Sequence, residues 1–297
     1  MDVALTASLT AQYFAGLAVQ EPRVLYYAAR WHWNFLNTQL PEANAARLGF
    51  ARLSRSRLTD PVTWEETLLR AVSVLTLCFN LAPKEVLARV AIGFLLAFDV
   101  FSRRGEMTGA RRSELRPPTP GIRGQFALWT LTLFPEDRAP TSKTGRQDDT
   151  VVVGSSDPAR AWIAKLMPLL ASSKHPGPLL LAVSQSLYDK IYKQAGVRAG
   201  LPPSTPHQMR HGGASVDAIN SCSDMSLLER GRWASTMSLK RYRRPAKYLR
   251  RLALLSAAQK RSARTAPAEI LRLTSGILGS ASASSTKPST HRRRSEK

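Results

Sequence analysis

The run from Val86 to Phe101 constrains this chain most. It is almost wholly apolar, yet Arg89 and Asp99 interrupt it. A membrane span needs about 20 consecutive apolar residues with few charges, so the run predicts a helix buried inside a protein core. Pro83 suits the start of that helix, and Val86, Val90, Phe94, Leu95 and Phe98 form its expected core side. A helix of this kind needs other elements to cover it. Leu5, Leu9, Tyr13, Phe14 and Leu17 recur at helical spacing, and Leu25, Tyr26, Trp33, Phe35 and Leu36 indicate a second helix after Pro22. Thr63-Trp64-Glu65-Glu66 is a Thr-x-x-Glu capping box that opens a periodic run through Phe79. Further helices are expected over Pro158 to Leu170 and Ser184 to Ala195, and Pro202, Pro203 and Pro206 set up one that carries His207.

Between these helices the period changes. After Pro117, Pro118 and Pro120, the stretch Phe126 to Phe134 is aromatic and β-branched enough for a strand, and Thr150 to Val153 for a second. The polar connection between them fits a hairpin presenting Lys143. The fold class is therefore mainly α with a small antiparallel β-hairpin or sheet, an α+β protein. Leu53 to Pro61 is polar and ends in proline, which makes it the linker candidate. It separates a small helical unit, 1–58, from a larger one, 62–255. The Ser-, Ala- and Thr-rich basic tail, 280–297, is expected to be disordered.

Charge narrows the partner. With 43 basic against 21 acidic residues the formal charge is +22, a polyanion-binding balance. Twelve lysines and arginines and no acidic residue occur from Arg230 to Arg264, which favours phosphate contact over an ordinary solvated face. Cys78 and Cys222 have no C-x-x-C spacing, so neither a disulfide framework nor a zinc site is expected. The N-terminus lacks the basic start of a signal peptide. These bounds point to an intracellular protein with double-stranded nucleic acid as partner and no membrane. Its compartment follows the DNA, the nucleus in a eukaryote or the nucleoid and cytoplasm in a bacterium.

The stretch Thr205 to Tyr242 carries the chemistry. His207 and Arg210 lie three residues apart, Trp233 follows Arg210 by 23, and Tyr242 follows Trp233 by nine. A phosphodiester repels nucleophiles through its own charge, and arginine offers it a planar, permanently charged fork. Tyr242 suits the nucleophile because a phosphotyrosyl ester conserves the bond energy. Arg103, with Glu106 three residues on, pairs with Arg210 as the phosphate clamp. Arg104, Arg111 and Arg112 compete with Arg103, as Arg146 does with Lys143 and Tyr248 with Tyr242. Lys143 on a loop tip suits protonation of the leaving oxygen. His207 suits proton transfer or phosphate bonding, and Trp233, a donor only, suits positioning. His207 and His211 at i, i+4 lack a third ligand, so no metal and no cofactor is expected.

This set resembles the active-site boxes of the tyrosine recombinases, the phage-integrase and Xer-type family. FSRRGEM is similar to the family's first box, and SKTGRQDDTVVV to its lysine-bearing hairpin. The resemblance covers about residues 62 to 255, with the N-terminal helices placed like a core-binding, DNA-binding domain. Trp233 stands where most members have a second histidine. The resemblance implies a site-specific recombinase or integrase of a mobile element. Such an enzyme cleaves and rejoins duplex DNA through a 3′-phosphotyrosine, without metal or ATP, within a tetramer. Its catalytic residues would be Tyr242, Arg103, Lys143, His207, Arg210 and Trp233. The basic run supplies Arg230, Arg232, Lys240, Arg241, Arg243 and Arg244 as DNA-binding candidates. A catalytically decayed DNA-binding protein and a type IB topoisomerase remain as alternatives.

Overall fold

The computed structural model describes residues 2–16, 20–32, 40–53, 60–77, 80–121, 128–133, 149–154, 157–172 and 177–279. The chain divides into two compact units, Met1–Thr59 and Asp60–Lys297. The first holds α1 (Asp2–Phe14), α2 (Gln20–His32) and α3 (Pro41–Leu53) around a small core of Leu9, Tyr26, Leu40 and Ala43. The Asp2 carboxylate accepts the Glu42 and Ala43 amides at 3.0 and 2.8 Å, placing negative charge on the positive end of α3. No apolar period announces α3 in PEANAARLGFARL; its alanines, leucines and arginines favour helix by propensity instead. Trp33, Phe35 and Leu36, expected in the second helix, lie outside the described residues, as do the linker residues 54–59.

The second unit is built around the buried run. Its helices are α4 (Trp64–Thr76) and α5 (Lys84–Asp99), then short α6 (Arg104–Gly109). A 3-10 helix, Pro158–Leu166, runs into α7 (Met167–Ser172) where one α-helix was expected. Then come α8 (Gln185–Arg198), α9 (His207–Ile219), α10 (Asp224–Gly231), α11 (Thr236–Tyr242), α12 (Pro245–Ala253) and α13 (Ala257–Thr274). Both halves of the Thr63 capping box form: Thr63 Oγ1 accepts the Glu66 amide at 3.1 Å and Glu66 Oε2 accepts the Thr63 amide at 2.8 Å. Every residue of α5 from Val86 to Asp99 is buried, with α4 and α9 packed against it. Helix α13 lies on α4 and buries Ala266 and Ile270 fully, so the packed unit continues past residue 255.

The two charges that exclude a membrane span from the apolar run have structural partners. Arg89 donates to the Leu180 carbonyl at 3.4 Å. Asp99 Oδ2 accepts the Gly154 amide at 2.7 Å, and Oδ1 meets Arg230 at 2.9 Å and Arg160 at 3.7 Å. Arg160 also pairs with Asp217 of α9. The end of α5 is thereby tied to the 3-10 helix, α9 and α10; losing one partner of such a buried network costs about 3–5 kcal/mol.

Among the described residues three antiparallel strands complete the unit, in the order β1 (Leu115–Arg116), β2 (Thr130–Leu133), β3 (Asp149–Val152). Leu131 pairs with Val151 on the buried face, while the Thr132 and Thr150 hydroxyls meet at 3.2 Å on the other. Two residues are too few for a period, which is why β1 has no sequence signal. The connection 134–148, including Lys143 and Arg146, and the tail 280–297 lie outside the described residues. Among the described residues no helix is long and apolar enough to cross a membrane.

Candidate active site

Helix α9 sets the site. Pro206 precedes it, and Gln208 anchors its first turn by accepting the Thr205 amide at 2.6 Å and donating to the Asp60 carbonyl at 2.6 Å. His207 is thereby left exposed on the first turn, while Arg210 and His211, one turn on, are buried. Gly212 and Gly213 follow because there is no room for anything else. A Cβ on Gly212 would fall 1.9 Å from the Val62 carbonyl oxygen, and one on Gly213 2.3 Å from that of Phe98. These two glycines let α9 rest on α5 closely enough for Arg210 to reach the end of that helix.

Arg210 is fully buried. Its Nη1 donates to the Phe101 carbonyl and its Nη2 to the Gly231 carbonyl at 2.5 Å. Phe101 has φ of 49°, a left-handed conformation that costs a non-glycine residue on the order of 1–3 kcal/mol. That turn aims its carbonyl at the guanidinium. Over the guanidinium lie the rings of Trp233, 4.8 Å away, and Tyr242, 5.1 Å away. Both are cation–π contacts. The His207 and Tyr242 rings are edge-on at 5.8 Å, and the His211 ring stacks on Tyr242 at 4.6 Å. His207, Arg210, Trp233 and Tyr242 therefore form one cluster, to which His211 adds a second imidazole. In the sequence His211 stands out only as the i+4 partner of His207; its stacking on Tyr242 depends on where α11 returns.

The tetrapeptide Arg230 to Trp233 closes this cluster. Arg230 donates to the Asp99 carbonyl at 2.9 Å, and Gly231 offers its own carbonyl to Arg210. A Cβ on Gly231 would fall 2.0 Å from the Trp233 ring. Arg232 caps α10 in the left-handed conformation, φ 53° and ψ 42°, which turns its side chain inward. There its Nη2 meets Glu106 Oε2 at 2.7 Å. Glu106 also accepts the Arg103 backbone amide at 2.7 Å and pairs with the Arg103 side chain, which keeps a quarter of its surface exposed. Arg103 thus joins the cluster through a shared carboxylate.

Three guanidiniums around one carboxylate leave the site positive. Burial alone pushes the Glu106 carboxyl up, but Arg232, the Arg103 amide, Arg210 and Arg103 outweigh it, and the net shift is down. Arg210 is lowered to about 9, first by burial and then by repulsion from Arg232 and Arg103, with Glu106 opposing. Among the described residues, the buried Arg210 Nε and Trp233 Nε1 have no acceptor. Buried donors of this kind call for an explanation, and an anionic ligand provides one.

The remaining predicted residues divide. Lys143 lies outside the described residues. Lys240 and Arg241 are exposed, Arg243 pairs with Asp224, and Arg244 is half-buried. Arg230 and Arg232, expected to bind DNA, are turned inward. The Arg230 side chain keeps 12% of its surface and donates to Asp99, and Arg232 is 4% exposed against Glu106, so both guanidiniums serve the interior. Charge alone does not tell a solvated arginine from one folded inward. Tyr248 is buried, its hydroxyl accepts the Trp64 amide at 2.9 Å, and burial raises its pKa, which removes it as a competitor for Tyr242. Arg104 pairs with Asp189 and Arg112 donates to the Gly177 carbonyl at 2.8 Å.

No protein-family model matches the chain, and no curated protein matches its sequence. Solved structures do match. The XerH site-specific recombinase bound to a palindromic difH substrate, in a post-cleavage complex, aligns with a TM-score of 0.53 at 15% identity. That alignment covers 81% of this chain and 68% of that one. A pre-cleavage complex of XerH with difH aligns with a TM-score of 0.48 at 14% identity, covering 81% and 66%. The XerA recombinase aligns at 0.43 and 16% identity, covering 88% and 89%. The chain spans about two thirds of the XerH chains. At such identities a likeness speaks for the backbone path. The helices around α5, with their small antiparallel sheet, have the fold of the tyrosine recombinases.

Proposed function

We propose that this chain is a site-specific DNA recombinase or integrase that cleaves and rejoins duplex DNA through a 3′-phosphotyrosine. The observation that carries the proposal is the Arg210 guanidinium enclosed by the Trp233 and Tyr242 rings, with His207 beside Tyr242. In the proposed reaction the Tyr242 hydroxyl attacks the phosphorus, a P–O bond to tyrosine forms and the P–O5′ bond breaks. Arg103 and Arg210 hold the non-bridging oxygens, where charge develops, and the Trp233 indole N–H donates to one of them. His207 accepts the tyrosine proton, and Lys143 protonates the leaving 5′-oxygen. Attack by a new 5′-hydroxyl reverses the steps with no net loss of bond energy. Because Tyr242 covers a fully buried Arg210, its ring must leave the stacked position to admit the phosphate. The N-terminal unit and the exposed cations Lys240 and Arg241 would bind the duplex, and exchange between two duplexes would require a tetramer on DNA.

The test traps a covalent adduct on a nicked suicide duplex, using sequence selected by the protein from a random library. The wild type is expected to give an adduct that Tyr242→Phe abolishes and Tyr248→Phe does not. Absence of adduct on selected DNA, or equal adduct with Tyr242→Phe, overturns the proposal.

A further inference from the structure

Arg232 has two acceptors in common with the two arginines proposed to hold the phosphate. It shares the Glu106 carboxylate with Arg103, and it shares the Phe101 carbonyl, at 3.5 Å, with Arg210; it also donates to the Val100 carbonyl at 3.2 Å. We propose that Arg232 is a positioning residue that sets the spacing of the Arg103 and Arg210 forks and supplies the surplus positive charge that draws an anion between them. The inference deepens the proposed function and rests on it for its catalytic readout.

Three features of the backbone and the charge support this assignment. At φ 53° and ψ 42° the position suits glycine or asparagine, so an arginine there needs a reason in its side chain. Its Nη atoms are taken up by Glu106 and by the Val100 and Phe101 carbonyls, so its effect on DNA chemistry passes through the residues that share those acceptors, Arg103 and Arg210. Three guanidiniums against one carboxylate carry an excess that Glu106 cannot neutralise. Lysine is no substitute, because a single ammonium has no planar fork with which to join a carboxylate and two carbonyls.

Arg232→Gly is the informative variant: it keeps the left-handed turn and removes the side chain with its guanidinium. Two readouts are needed in the full-length protein. The first is the Trp233 indole N–H resonance, assigned by its loss in Trp233→Phe, titrated with inorganic pyrophosphate. The second is adduct formation on the nicked duplex, alongside duplex affinity. The wild-type resonance is expected to shift with pyrophosphate and that of Arg232→Gly to stay in place. The variant should bind duplex within about twofold of wild type, since its surface cations are intact. Its cleavage should fall about a hundredfold, as misplaced catalytic groups do, and Arg232→Lys should recover less than about a tenth of that loss. A pyrophosphate shift in Arg232→Gly equal to wild type, none in the wild type, or cleavage at the wild-type rate overturns the inference. If Arg232→Gly does not fold, Arg232→Asn takes its place, and loss of folding in both shows a purely structural role and overturns it too. A wild-type shift without adduct overturns the recombinase proposal alone.

Discussion

The His211 ring lies buried against the Tyr242 ring, and its surroundings allow it no charge. Burial first, then His207 and Arg244, push its pKa from 6.5 down to about 3. The sign follows from linkage. Unfolded chains take up a proton at His211 below pH 6.5 and the folded protein does not, so this contribution to stability is complete above 6.5 and is lost as pH falls toward 3. Urea unfolding at pH 7 and pH 4.5 checks it. The wild type should lose about 2 kcal/mol more between these pH values than His211→Phe, which keeps an aromatic ring and cannot titrate. Equal losses would show that His211 titrates normally in the folded protein.

At the scale of elements, the site depends on how closely α9 approaches α5. Gly212 faces backbone, the Val62 carbonyl oxygen at 1.9 Å from its built Cβ, with the Phe98 ring at 2.6 Å. Neither neighbour can yield cheaply, so Gly212→Ala should destabilise the second unit by about 3 kcal/mol and draw Arg210 away from Phe101. Gly49 in α3 makes the contrast. Nothing lies within 4 Å of its built Cβ, so Gly49→Ala should stabilise the first unit by about 0.5–1 kcal/mol through helix propensity. Chemical denaturation of the two variants measures both. The same crowding explains the Arg230 to Trp233 segment, where Gly231 makes room for the Trp233 ring and Arg232 takes the turn that sends its side chain inward.

The whole molecule carries +22, but on first encounter only the solvated part of that charge meets a polyanion. Lys240 and Arg241 are exposed at the end of α11, whereas Arg70, Arg89, Arg160 and Arg210 are fully buried. Duplex affinity measured against salt separates the two classes. Replacing Lys240 and Arg241 with glutamine should lower the log–log slope by about 2, near 0.9 for each phosphate contact. Arg232→Gly should leave the slope unchanged, because a buried guanidinium releases no counterion. A slope unaltered by the double replacement would place the duplex elsewhere.

The sequence alone determined what is local or patterned. The buried character of α5 followed from an apolar run too short and too charged to span a membrane, and the Thr63 box from a side chain reaching three residues along the chain. The candidate residues were chosen on residue chemistry, arginine and tyrosine being suited to a phosphodiester, and His207, Arg210, Trp233 and Tyr242 meet in one cluster. Alanine-rich α3 and the two-residue β1 escaped, because propensity or pairing makes them, and α13 escaped because its buried stripe of Ala263, Ala266, Ile270 and Thr274 is mostly small or polar. Tertiary structure decided what depends on distance across the chain. It turned Arg230 and Arg232 inward to Asp99 and Glu106, buried Tyr248 beneath Trp64, and laid His211 on Tyr242. An arginine's spelling is the same on a surface as in a core; only the packing of α5, α9 and α10 gives it a carboxylate to meet.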